Sequence, residues 1–484
     1  MSRACQNLHT AVARMSSALV LCSFVFLSGC EPRAEVVSTS VVPKVNVLLI
    51  VVDTLRADHL AAYGYERKTA PAIKRLAEES VVFENAFTVM GHTLPAHVSL
   101  MTGVHPARHH VLSNGWKYDG RFPTLAERLQ ADGYETAAFV SSFVLESNSG
   151  LDAGFDTYEN PSAKRRRTPG EETTIAAQEW LRSRTDEPFF AWVHYFDTHT
   201  PYERLAGDPW PLEIDAKLQS LLQDNGTADV RMDEIIEKPV RLNGKVLEIA
   251  EAVNAYDNEI RRVDRQVAKL LLVLEEIGAA NDTLVIFTAD HGEGLGEHDY
   301  YSHGLNLYEE QIHIPLIVRL PGAGKGDGHR VERAVSLLDL APTVLDLIDH
   351  DTEFLFKGQS LVADLSDSSP PVSGRWLLTQ RRWFSEKSRK KRGGELAPNQ
   401  TLHALRGDAR FKFVQHGDGA AELYDISADP HEDVNLFDDQ PADASRLEGK
   451  LDELLEERTS GRAPTKQTID DETREALEAL GYIQ

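Results

Sequence analysis

A chain of 484 residues, 42% of them hydrophobic, is too long for one small domain and apolar enough to bury a large core beside a smaller second unit. A formal net charge of -25 removes any general electrostatic ground for binding nucleic acid. The three cysteines, Cys5, Cys22 and Cys30, all lie at the N-terminal end, so the body of the chain has neither an internal disulfide nor a thiol nucleophile.

The first residues read as a leader. Arg3 and Arg14 give a weakly basic start, and Met15 to Gly29 is apolar, rich in small residues and too short to span a bilayer comfortably. It closes on Leu27-Ser28-Gly29-Cys30, which resembles the lipobox of bacterial lipoproteins, where cleavage precedes a lipidated Cys. Residues 1–29 are therefore expected to be a signal peptide, with Cys30 as the acylated N-terminus of an exported, membrane-anchored protein, periplasmic or on the cell surface. Residues 30–44 are polar, contain Pro32 and Pro43, and read as a tether.

Val45 to Val52 is a continuous apolar run of strand length, the pattern of a strand buried on both faces. Similar runs occupy Thr136 to Val140, Phe189 to Val193, Leu284 to Thr288 and Ile314 to Val318. Helical periodicity fills Pro71 to Glu79, Thr124 to Ala131, Thr173 to Arg184 and Val246 to Ile277. The alternation predicts a doubly wound α/β sheet over 45–368. Ala206 to Gly244 reads as a polar surface insertion, with a lid over the site as the alternative. The basic runs Lys164 to Arg167 and Lys387 to Arg392 read as solvated loops. Beyond Pro370-Pro371, Trp376 to Gln380, Thr401 to Arg406, Lys412 to Gln415 and Glu422 to Tyr424 suggest a small antiparallel sheet. This gives a second unit over 369–440 and a helical tail over 441–484.

Chemistry gathers at strand ends. Asp53 follows the first apolar run, His194 to His199 (HYFDTH) the third, and Asp290-His291-Gly292 the fourth. In open α/β sheets sites collect at the carboxyl ends of strands, and carboxylates with imidazoles at three such ends point to a divalent metal. Thr93 precedes Leu94-Pro95 and a helical run that stops at Gly103, the signature of an N-cap. A hydroxyl there can also be a nucleophile, given a metal to lower its pKa and a helix N-terminus with free amides to hold an anion. His97, His298 and His313 read as structural or surface groups.

Asn46 to Val111 (NVLLIVVDTLRADHLAAYGY, TAPAIKRLAEESVVFENAF, TLPAHVSLMTGVHP), Asp290 to Val318, Val335 to Leu347, Glu422 to Asn435 and the closing Ala479-Leu480-Gly481-Tyr482 together resemble the sulfatase family of the alkaline-phosphatase superfamily. The resemblance implies an α/β/α sandwich around a mostly parallel sheet, with a C-terminal α+β unit carrying an antiparallel sheet. It implies a metal-dependent hydrolase of sulfate or phosphate esters. Asp53, Thr93, Asp290 and His291 match the metal shell, and His199 matches the His that touches the ester. By the same resemblance His303 is a catalytic candidate, and Asp197, His199 and His303 offer a second metal set. The ion would be Ca²⁺, Mg²⁺, Mn²⁺ or Zn²⁺.

The chain departs from true sulfatases where the family converts Cys or Ser to formylglycine. Thr93 stands there, and it cannot be converted. The motif's Arg is His97, the strand-end Asp pair is Asp53-Thr54, the family's Lys-Trp-His stretch is Val140-Ser141-Ser142, and its second substrate Lys is His303. Related phosphodiesterases and phospholipid-headgroup transferases use Thr as nucleophile. The expected substrate is a sulfated or phosphorylated small molecule, glycan or lipid, with phosphoesters preferred over sulfate esters. A headgroup transferase and a non-catalytic glycan-binding lipoprotein are the alternatives.

Overall fold

Strand β1 (Asn46–Val52) lies at the centre of the molecule, with all seven residues buried. A computed structural model describes residues 45–161, 165–202, 241–242, 245–246, 249–324, 328–348, 358–366, 375–384, 401–407 and 410–459. The leader with Cys30, most of the 206–244 insertion, the basic run 387–392 and the closing residues 479–482 fall outside them.

The other strands of the main sheet are β2 (Val81–Phe87), β3 (Glu135–Val140), β4 (Thr157–Glu159), β5 (Phe189–Tyr195), β8 (Thr283–Ala289), β11 (His313–Arg319) and β12 (Arg330–Ser336). Two short antiparallel pairs lie apart from it: β6 (Arg241–Leu242) with β7 (Lys245–Val246), and β9 (Gly294–Leu295) with β10 (Tyr301–Ser302). The eight-stranded order is β12-β2-β11-β8-β1-β5-β3-β4, and within it β11 runs antiparallel to both its neighbours while the other pairings are parallel. Strands β8, β1 and β5 are adjacent, so the three strand ends marked in the sequence meet at one edge of the sheet centre.

Helices cover the sheet: α1 (Pro71–Glu78), α2 (Thr93–Thr102), α3 (Leu125–Ala131), α4 (Gly170–Ser183), α5 (Ile249–Glu276) and α6 (Leu340–Leu347). Helix α5 buries Tyr256, Ile260, Val263, Val267, Leu270 and Leu274, a spacing of three and four that makes one apolar stripe. The N-terminus of α1 is held by Asp264 of α5, whose carboxylate accepts from the Ala72 and Ile73 amides at 2.8 Å each. Tyr256 OH donates to Thr54 O (2.7 Å) and accepts from the Arg56 amide (2.9 Å), which ties α5 to the loop leaving β1. That loop turns at Thr54, with φ +57°. Among the described residues no helix is long and apolar enough to cross a membrane.

The C-terminal unit is the antiparallel sheet β13 (Leu377–Gln380), β14 (Leu402–Arg406), β15 (Phe411–His416) and β16 (Ala421–Asp425), followed by α7 (Pro441–Thr459). Leu447 and Leu451 of α7 pack on Leu405, Phe413 and Leu423. A second apolar contact, through Phe87, Ile312, Leu377, Leu402 and Val414, joins this sheet to the main one. The expected fold class is the one observed. Of the main sheet, strands β2, β4 and β12 are not marked in the sequence.

Candidate active site

Three strand ends and one helix converge. Asp53 is fixed by its backbone, since its amide donates to Tyr195 O (2.8 Å) and its carbonyl accepts from Thr198 Oγ1. Asp290 Oδ1 accepts from the amides of Thr54 (3.1 Å) and His291 (2.8 Å), which aims Oδ2 away from the backbone. His291 Nδ1 donates to Gly292 O (3.0 Å), so the neutral ring carries its lone pair on Nε2. That atom lies 3.4 Å from Asp290 Oδ2 and 3.8 Å from Asp53 Oδ1.

Thr93 is not the N-cap. His92 occupies that position, extended at φ -156°, and Thr93 is the first helical residue, with no side-chain cap present. Its hydroxyl donates instead to Asp53 Oδ2 at 3.4 Å. The first-turn amides are less open than the sequence suggested. Leu94 N–H is taken by Asn114 Oδ1 (2.8 Å), Ala96 N–H by His92 O (3.1 Å), and Pro95 has none. Helix α2 therefore contributes its dipole more than a nest of free donors. Its C-terminus is Gly103 in the left-handed region at φ 64°, as the sequence indicates.

The fit of a cation can be judged from the atoms present. Asp53 Oδ1, Asp290 Oδ2 and His291 Nε2 are fully buried without hydrogen-bond partners among the described residues, and one ligand atom from each residue lies within 4.8 Å of the others. Burial drives the Asp53 carboxyl up to about 7 against the pull of His291. Asp290 is raised by burial and then by Asp53 itself. Two buried carboxylates facing each other with unspent oxygens fit a divalent cation by their chemistry.

Two further imidazoles, His199 and His303, border this centre. The His303 ring lies 4.5 Å from His291 and 5.0 Å from His199, centroid to centroid. His303 Nδ1 meets Glu293 Oε1 at 3.1 Å. Burial pushes the imidazole well below its usual range and the carboxyl well above its own. His199 Nδ1 donates to Thr200 O (2.6 Å), and burial lowers its pKa to about 3.

Asp197 does not join them. Its Oδ1 accepts from Gly170 N at the start of α4 (3.2 Å), and the cationic groups that act on it are Arg167 and Arg262. Among the described residues, Asp197, His199 and His303 are not one of the groups with ligand spacing. The second cluster is His97, His194 and Asp290. His97 was read as structural, and His194 lay unremarked within its strand-end motif. The signals were present: His97 is four residues after Thr93, hence on the same helix face, and His194 pairs with Val51 two residues before Asp53.

Arg382 arrives from the loop after β13 and places Nη1 3.0 Å from His92 Nε2. Of the other histidines, His298 pairs with Glu310 (3.3 Å) and His313 Nε2 donates to Glu84 O (2.7 Å), both away from the cluster.

Comparison with known proteins identifies the family. A Sulfatase family model matches residues 45–350, and a model described as N-sulphoglucosamine sulphohydrolase, C-terminal, matches 296–460. A multifunctional alkaline phosphatase superfamily protein, PehA, of Trinickia caryophylli is 26% identical over 495 residues, covering 86% of this chain and 95% of that protein. A choline-sulfatase of Rhizobium meliloti is 26% identical over 468 residues, covering 84% and 85%. The crystal structure of a phosphonate monoester hydrolase of Agrobacterium radiobacter superimposes with a TM-score of 0.69 at 24% identity, covering 86% of this chain and 96% of that one. Fold and matches together define a sulfuric or phosphoric ester hydrolase of the alkaline-phosphatase superfamily. Within that class the chain belongs to the sulfatase family.

Proposed function

We propose that this hydrolase uses Thr93 as a covalent nucleophile and acts on phosphate esters in preference to sulfate esters. The carrying observation is the Thr93 hydroxyl, 3.4 Å from Asp53 Oδ2 and released from any capping duty, beside the partnerless oxygens and nitrogen of Asp53, Asp290 and His291. Those residues, with the Thr93 oxygen, would hold a divalent cation. Such an ion supplies Lewis acidity, lowering the pKa of a hydroxyl and neutralising charge on an ester oxygen.

The protein's own groups account for the rest. Thr93 Oγ1 forms the new bond to phosphorus in line with the departing ester oxygen, whose bond to phosphorus breaks as it leaves. Water then cleaves the phosphothreonine. His199 stands beside His303 with its Nδ1 proton held by Thr200 O, which fixes the ring's orientation toward that second half. In this reading His303, beside His199, and Arg382, beside His92, bind the charged ester. Phosphorus suits this design better than sulfur. A threonyl sulfate needs S–O cleavage by water, which a formylglycine hydrate avoids by eliminating sulfate.

The test is turnover of matched phosphate diesters, phosphate monoesters and sulfate monoesters by wild type, Thr93→Ala and Thr93→Ser. Thr93→Ala should keep its fold and lose most turnover, on the order of 10²-fold or more, and Thr93→Ser should retain a measurable part. Chelation should abolish turnover and added cation restore it. Full turnover by the Ala variant, or a preference for sulfate esters, overturns the reading.

We infer further that the enzyme is exported and held at a membrane by lipid on Cys30. The support is the apolar run ending in Leu-Ser-Gly-Cys. Mass spectrometry of membrane extracts should find acyl chains on an N-terminal Cys30; unmodified soluble protein beginning elsewhere would refute it.

A further inference from the structure

Behind the Asp53–Asp290–His291 set lie two imidazoles that the proposed mechanism does not use. His97 and His194 are both fully buried, 5.0 Å apart between ring centroids. His97 Nδ1 donates to Thr93 O (2.8 Å), the i to i+4 contact along α2, so the neutral ring has its lone pair on Nε2. Nε2 has no partner among the described residues. His194 is more exposed to the question, since neither of its ring nitrogens has a hydrogen-bond partner there. Its Nε2 lies 3.5 Å from Asp53 Oδ2, and His97 Nδ1 lies 3.7 Å from Asp290 Oδ2. One ligand atom each from His97, His194 and Asp290 falls within 4.8 Å of the other two.

A packing role alone does not account for this. Trp192 lies beside both rings, 5.4 Å from His97 and 6.4 Å from His194, and Phe or Leu would fill such space without burying polar nitrogens. A neutral imidazole always carries one N–H and one lone pair, and His194 spends neither on a hydrogen bond. Although the nitrogen that approaches Asp290 Oδ2 is the donating Nδ1 in His97 and the open Nε2 in His291, both histidines have one ring nitrogen fixed on a backbone carbonyl and the other buried without a partner among the described residues. That is the usual support of a metal-ligating histidine.

We propose that His97 and His194 are ligands of the cation centre beside Asp290, and that their nitrogens make it take a borderline transition ion such as Zn²⁺ in preference to Ca²⁺ or Mg²⁺. Imidazole nitrogen suits Zn²⁺ and its neighbours, whereas Ca²⁺ and Mg²⁺ seek oxygen shells. The inference rests on the reading that Asp53, Asp290 and His291 hold a cation, and it adds which class of ion they hold and through which further residues.

The experiment is elemental analysis of full-length protein stripped with chelator, reloaded from an equimolar mixture of Zn²⁺, Mn²⁺, Ca²⁺ and Mg²⁺, and dialysed. Wild type, His97→Gln, His194→Gln and Asp290→Asn are compared, each verified as folded by circular dichroism. Wild type should retain a transition ion, and each His variant should bind it roughly tenfold or more weakly. The Co²⁺-loaded wild type should show visible absorption bands that shift in both His variants, a change that loss of packing does not produce. Wild type retaining Ca²⁺ or Mg²⁺ instead, or His variants with unaltered affinity and Co²⁺ spectrum, overturns the inference. If Asp290→Asn loses metal while both His variants keep it, only this inference fails. If Asp290→Asn also keeps it, the cation reading of the whole centre fails.

Discussion

Charge at single side chains in this molecule is decided by what burial leaves them to pair with. His298 shows it outside the active site. Its backbone is in the left-handed region at φ 53°, its ring stacks on Tyr308 at 3.7 Å, and its Nδ1 meets Glu310 at 3.3 Å. Burial by itself would lower its pKa, but the hydrogen bond to Glu310 and the charges of Glu310 and Glu432 outweigh it and raise the imidazolium to about 9. A pKa raised on folding adds stability that is fully present below the unfolded value, 6.5, and is lost as pH rises through about 9. Urea midpoints of the wild type should therefore fall between about pH 6.5 and 9, and His298→Asn, which tolerates the same backbone, should flatten that fall. An unchanged slope in the variant would remove His298 from the account. Residues of this kind are hard to read from sequence, because their charge depends on partners distant in the chain. The convergence of Asp53, Asp290 and His291 was legible because Asp53 directly follows one buried apolar run and Asp290-His291 another. His97 reads as structural because it sits inside an apolar helix, where a lone His passes for core. At Asp197 the sequence does not separate two roles, because a strand-end carboxylate that accepts from the first amide of a neighbouring helix has the same signature as one that binds a metal.

At the scale of elements, two threonines with the same helix-start signature behave differently. Thr124 is a true N-cap: its Oγ1 accepts from Glu127 N (3.1 Å), and Glu127 Oε2 accepts from Thr124 N (2.8 Å), a complete capping box. Thr124→Ala should cost about 1 kcal/mol in chemical denaturation, with Thr124→Ser close to wild type. An Ala variant as stable as wild type would show that the tertiary packing of Leu125 and Leu129 alone fixes α3. At Thr93 the cap falls to a different residue, so the same substitution should act on turnover far more than on stability. The strands that escaped the sequence reading have a common cause. β2 is interrupted by Glu84 and Asn85, which are half-buried and pair with β12: Glu84 with the Arg330 guanidinium, and Asn85 Nδ2 with Glu332 O (2.6 Å). β12 is an edge strand whose exposed charges hide its period. The central strands, apolar on both faces, were unambiguous, and tertiary pairing alone defines the outer ones.

For the whole molecule, the question is how a small sheet at the C-terminus becomes part of a site built by the large one. β13 is stitched to the segment around α2: Thr379 Oγ1 donates to Thr88 O (2.7 Å), Gln380 N to Val89 O (2.9 Å) and Trp383 N to Leu112 O (2.9 Å). These bonds deliver Arg382 to His92, next to Thr93. Farther along the boundary, Lys412 of β15 is fully buried with Glu432 at 2.7 Å and Glu309 at 3.3 Å, and Arg406 of β14 reaches Glu309 at 3.4 Å. Glu309 opens the short helix before β11 of the large sheet, so the lysine bonds the two units across their contact. Removing one partner of a buried ionic group strands the other charges, and Lys412→Met should destabilise the protein by about 3–5 kcal/mol. Lys412→Met combined with Glu432→Gln should recover part of that loss, because fewer buried carboxylates are then left uncompensated. Since apolar contacts, strand-end hydrogen bonds and this ionic cluster all cross the same boundary, the two units should unfold together. Tryptophan fluorescence and far-ultraviolet circular dichroism should give coincident transitions in wild type and in both variants. A separate early transition in Lys412→Met, with the large sheet still folded, would show that the C-terminal sheet is an independent unit merely resting against the site.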